Sequence, residues 1–171
     1  SIETGWQAVN FSGDSAGNDW KKYQGIKWTI LPNQTTIWPT YLSGNIQLGT
    51  HQIALNKIGN GFNVVANPYL SPVNTGTFNR STKVSAYKYI WNPQLGNMGG
   101  YMALPFTQKH ILNPFEAFIL LTDSSADNEI TITEASKSTE WNKGVLEDYQ
   151  EGTGYFSTID LLSNQRLQDR F

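Results

Sequence analysis

The chain has 171 residues, 39% of them hydrophobic and only 15% charged, with a net charge of −2 and no cysteine. Such a length suffices for one domain with its own core. The balance excludes a nucleic-acid module, which needs a basic stripe, along with disulfide and thiolate sites, and no apolar run is long enough for a membrane-spanning helix.

Six Trp, eight Tyr, eight Phe and 15 Gly make a mix poor in helix formers and rich in residues that suit turns and pleated, half-buried surfaces. Ser1–Asn10 lacks the charged segment and apolar stretch of a secretory signal. Trp6–Phe11 then alternates, and a polar loop follows over 12–18. Gly25–Leu31 is apolar and aromatic and stops at Pro32-Asn33, and Thr35–Trp38 meets Pro39. Tyr41–Leu48 and His51–Lys57 flank Gly49-Thr50, which reads as a hairpin turn. Phe62–Ala66 closes at Asn67-Pro68, and Ser85–Trp91 alternates up to Asn92-Pro93. Met98–Leu104 follows a Gly-rich turn, and Phe115–Thr122, the strongest run, follows Asn113-Pro114. Glu129–Thr133 alternates cleanly. Ser138–Asp148, interrupted by Gly144, offers at most one helical turn. Tyr155–Ser163 alternates, and Arg166–Phe171 reads as the start of a further strand, as expected for a piece of a longer protein.

Roughly ten or eleven strands at this spacing, with no long helices between them, predict one all-β domain over 1–171: an antiparallel β-sandwich, jelly-roll-like. Its stability would come from alternating apolar stripes closing two sheets over a shared interior.

The residues Gly61-Phe62-Asn63-Val64-Val65-Ala66-Asn67-Pro68-Tyr69-Leu70-Ser71-Pro72 resemble the GWNLVGNPYPSP signature of large extracellular proteins of the Bacteroidetes. In many of these a β-sandwich module precedes a C-terminal sorting domain of the type IX secretion system. Further similarities follow in order. Tyr89-Ile90-Trp91-Asn92-Pro93 looks like the family's YVW(D/N) strand, and Gly99-Gly100-Tyr101 like the G-Y after it. Ile111–Ile119 is similar to IPPGQAFFV, Ile130–Glu134 to the next strand, and Leu161–Phe171 to a segment ending in DR-(F/Y). The likeness covers residues 41–171. Ala66 stands for the usual Gly, Leu70 for Pro and Glu116 for Gln. The resemblance implies an extracellular, bacterial-surface location and contact with type IX secretion machinery through a downstream sorting domain. It transfers no catalytic residues.

Physical chemistry reads the Asn67-Pro68-Tyr69 element as a structural turn. A residue before Pro is extended, so Asn67 ends its strand, and its amide is suited to an Asx-type turn.

The search for chemistry returns little. His51 and His110 lie far apart and outside any zinc motif, so both read as strand or surface histidines. No nucleophile elbow or phosphate loop occurs. Glu116 lies inside an apolar run; either it faces the core as a raised-pKa acid, or it sits on the strand's other face or bonds neighbouring loop amides, and the last two are favoured. Asp14 and Asp19 on a Gly-containing loop could ligate Ca²⁺, the one cofactor considered, although the ligand set is short and a solvated loop is the simpler reading. Asp14-Ser15-Ala16 is also similar to a bacterial O-glycosylation signal.

Aromatic side chains give the best lead. Trp20, Trp38 and Trp141 sit in polar or strand-end surroundings where an indole can stack on a sugar ring, while Trp28 and Trp91 read as core. The expectation is a non-enzymatic, structural or adhesive extracellular module, with a glycan or a surface protein as partner. A carbohydrate-binding module using exposed Trp, a polysaccharide-degrading domain built on Glu116, and a docking module with an open sheet edge stand as rivals.

Overall fold

The computed structural model describes residues 22–25, 45–57, 59–92, 94–96, 99–142, 160–163 and 166–170. Asp14, Asp19, Trp20, Trp38 and the strands expected over 6–11 and 35–38 lie outside them.

Among the described residues eleven strands run in chain order: β1 (His51–Ala54), β2 (Phe62–Ala66), β3 (Val73–Asn74), β4 (Asn79–Arg80), β5 (Val84–Asn92), β6 (Gly100–Pro105), β7 (Ile111–Leu112), β8 (Ala117–Thr122), β9 (Glu129–Ile132), β10 (Asp160–Ser163) and β11 (Arg166–Arg170). Among the described residues the only helical pieces are 3₁₀ turns at Thr75–Thr77 and Glu134–Ser136. Every strand pairing among the described residues is antiparallel, and with strands and no α-helix there the fold is all-β.

β2, β8, β5 and β6 form a four-stranded sheet in that order, and β1, β9 and β4 form a three-stranded one. β3 pairs with β7, and β10 with β11, as two-stranded ribbons. Both larger sheets contribute to one core. Val65, Phe118, Leu120 and Ile90 come from the first, and Ile53, Ile130 and Ile132 from the second. Phe78, Phe106 and Leu112 join them from the connections and β7. The strand period of two explains this: residues of one parity share a face.

β8 is apolar without alternation because it is a central strand. Phe118 and Leu120 enter the core, while Ile119 is buried on the other face between Val64 of β2 and Tyr89 of β5. β5 carries a bulge. Val84 pairs with Thr122 and Lys88 with Leu120, so β5 has two more residues between these pairs than β8 has.

Two expectations are corrected. Asn45–Leu48 is not a strand, and β1 pairs with β9 rather than forming a hairpin across Gly49-Thr50. Gly49 adopts φ +81, with its N–H donated to Glu134 and its carbonyl accepting from Tyr69. The turn is thus bound to distant residues instead of closing a local ladder. Ser138–Asn142 carries no helix; the rest of that candidate lies outside the described residues.

Candidate functional site

Asn67 ends β2 and is buried. Its Oδ1 accepts from the Tyr69 N–H at 3.0 Å, closing an Asx turn around Pro68. Its amide nitrogen lies within hydrogen-bond reach of the carbonyls of Ser71 (2.9 Å), Leu112 (3.2 Å) and Asn113 (3.2 Å). The second Asn-Pro corner, Asn113-Pro114-Phe115, therefore docks on the first, and the Asn67 N–H donates to Glu116 O as well.

Glu116 completes this joint. Its carboxylate accepts from the Asn113 backbone N–H at 2.8 Å and the Asn113 amide at 3.2 Å. Burial raises its pKa and the two Asn113 bonds oppose the rise. Both oxygens accept from this loop, whereas a Gln could supply only one of the two acceptors.

Tyr69 points from the corner into the core, and its hydroxyl donates to Gly49 O at 2.5 Å. His51 packs on its ring at 5.0 Å between centroids and on Tyr23 at 5.3 Å. His51 Nδ1 meets the Tyr23 hydroxyl at 2.8 Å, and Nε2 is buried without a hydrogen-bond partner. Burial, followed by nearby Lys22, lowers the His51 pKa. Lys137 lies 4.6 Å over the Tyr69 ring and pairs with Glu134. His51 is thus a buried core histidine, not a surface one.

The largest surprise lies in β5. Lys88 is 0% exposed, yet among the described residues no carboxylate is bonded to it. Its ammonium donates to the carbonyls of Phe106 at 2.8 Å and Gln108 at 2.5 Å, and desolvation lowers its pKa to about 8. Lys88 shares the inward face with Ile90, so Tyr87, Tyr89 and Trp91 turn outward. Trp91 is accordingly 39% exposed, correcting its assignment to the core.

The outward face of the four-stranded sheet is therefore aromatic. Register places Trp91 opposite Tyr101, Tyr89 opposite Ala103 and Tyr87 opposite Pro105. Tyr101 is 39% and Tyr87 51% exposed, and Phe62 of β2 is exposed on the same side. Trp91 and Tyr101 meet edge to face at 5.0 Å between centroids. Gly99, at φ +75, lies against the indole, where a Cβ would come within 2.3 Å of Cζ2. The ring is seated on bare backbone. Sequence reasoning missed this site, although the alternation of β5 was visible; the face was chosen wrongly.

Trp141 is 48% exposed, beside Asn142, which exchanges bonds with Asn113 on the double corner. No group of three metal-ligating side chains occurs among the described residues. A shallow depression of about 380 Å³ collects Lys57, Arg80 and Lys83 with a single acid, Asp123.

No family model matches the chain, and neither does any curated protein or solved structure.

Proposed function

We propose that the chain is a non-enzymatic module of a secreted bacterial surface protein, with a structural and adhesive role, and that its working surface is the outward face of β5 and β6. One observation carries this reading. The buried side chains of Asn67, Lys88 and Asn113 and the carboxylate of Glu116 are spent on the protein's own backbone or on each other, while the large amphipathic rings of Tyr87, Trp91 and Tyr101 are turned to solvent. Such rings supply contact area at low conformational cost. The finer architectural reading, a jelly-roll-like sandwich, is supported by the core that both larger sheets share. Extracellular placement and delivery by type IX secretion through a downstream sorting domain rest on the NPY-type signature.

A carbohydrate-binding form of this role is favoured by one detail: Trp91 is fixed by Gly99 beneath it and Tyr101 beside it, which suits stacking on a sugar ring. The platform is then Trp91 and Tyr101, with Tyr87, rather than the Trp20, Trp38 and Trp141 set. The polysaccharide-degrading alternative draws no support from Glu116, whose oxygens are engaged by Asn113.

The test is a glycan array with tryptophan-fluorescence titration on the wild-type chain and on Trp91→Ala. A hit that weakens at least about tenfold in the variant supports the glycan form. Binding to surface proteins but not glycans, lost in Trp91→Ala, supports the general adhesive role. Binding untouched by Trp91→Ala and Tyr101→Ala overturns the choice of face.

A further inference from the structure

β6 is an edge strand: among the described residues it pairs with β5 on one side and with nothing on the other. Phe106 N–H donates to Ala86 O at 2.7 Å, which fixes the hydrogen-bonding phase of the ladder. By the alternation of antiparallel pairs, Leu104, Met102 and Gly100 turn their backbone groups toward β5, opposite Lys88, Ile90 and Asn92. Tyr101, Ala103 and Pro105 turn theirs away. Tyr101 and Ala103 therefore offer a free N–H and C=O each, and Pro105 a C=O alone. Charge, inserted proline and bulging are the usual guards of such an edge. Gly100–Pro105 has no charged residue and no bulge, and its one Pro lies at the end.

We propose that this edge pairs with a second copy of the chain, β6 against β6 in antiparallel fashion, about a two-fold axis through Ala103. The strand is self-complementary in that register. Ala103 faces its own counterpart, so the smallest side chain sits on the axis and both of its backbone bonds are exchanged. Tyr101 faces Pro105 of the second copy, and its N–H meets that residue's carbonyl, the one group Pro105 has to give. Tyr opposite Pro is a pairing this sheet already uses, at Tyr87 and Pro105. On the inward side Met102 faces Leu104. With no charge on either strand, nothing repels across the join. The two aromatic outward faces become one continuous surface across the axis.

Sedimentation velocity on the full chain, from low to high micromolar, should show a monomer–dimer equilibrium. Ala103→Lys sets like charges on the axis and should leave only monomer. Ala103→Pro, which removes just an outward-facing N–H, should weaken the dimer while keeping the β5 ladder; far-ultraviolet spectra check that both variants fold. The chain lacks cysteine, so Ala103→Cys introduces a single thiol. It should cross-link readily under mild oxidation, whereas Ala86→Cys, exposed on β5, should not. A chain that stays monomeric at every concentration overturns the proposal. So does a dimer that survives Ala103→Lys, or equal cross-linking by the two thiols.

Discussion

Asn67 serves as both acceptor and donor in one buried side chain. Asn67→Ala leaves the carbonyls around it without that partner and opens the Asx turn, a loss of about 2–4 kcal/mol expected in urea unfolding. Asn67→Asp keeps the acceptor for Tyr69 but turns an oxygen toward carbonyl oxygens, so it should be the less stable variant at neutral pH. Lys88 makes a different prediction. Its folded pKa of about 8 lies below the ordinary lysine value of 10.5. Between those values the unfolded chain holds the proton that the folded chain has lost, so stability should rise with pH from about 8 to 10. Above that, Tyr69 and Tyr101, both raised by burial, pull the other way. Lys88→Met should abolish the rise between pH 8 and 10, as read from denaturant midpoints.

At the scale of elements, the β5–β6 hairpin joins a buried clamp to an exposed aromatic row. Gly99→Ala would drive a Cβ into the Trp91 ring at a positive φ. We expect a loss of about 1–2 kcal/mol and a red shift in indole emission as the ring lifts away. β5 also shows where the sequence was legible and where it was not. Period-two alternation located the strand to within a residue at either end. Deciding which parity faces inward relied on the habit that Lys is wet and Trp is dry, and here both are reversed. The reversal depends on two carbonyls, Phe106 O and Gln108 O, that only the folded turn brings to the ammonium. β2 and β8 were legible because their apolar runs are bounded by Asn-Pro or Gly signals, and β9 because it alternates cleanly. β3, β4 and β7 escaped notice because two-residue strands leave no periodicity to read. The Gly49 turn misled because a positive-φ glycine marks a bend without saying what closes it.

For the whole molecule, acid sensitivity follows from two histidines. His51 and His110 are held neutral, both chiefly by burial, with pKa values below 6.5. The unfolded chain takes up protons near pH 6.5 that the folded chain refuses, so stability should fall as the pH drops below that value. Glu134, lowered by Lys137 and the Gly49 N–H, adds to the loss as it protonates. Glu116, raised by burial, acts in the opposite direction, because the folded chain takes up its proton more readily than the unfolded one. Urea midpoints at pH 7 and pH 5 give the net sign, and His51→Gln should flatten the slope. The side chain at the centre of this response also joins the segment at Tyr23 to β1. The division of labour in β5 has one more outcome. Since the hairpin is fastened from beneath, by an ammonium on two carbonyls, its anchorage to the core lies on the face opposite the rings. They can be exchanged like a cassette, so one scaffold could be recoded for new targets without renegotiating its interior.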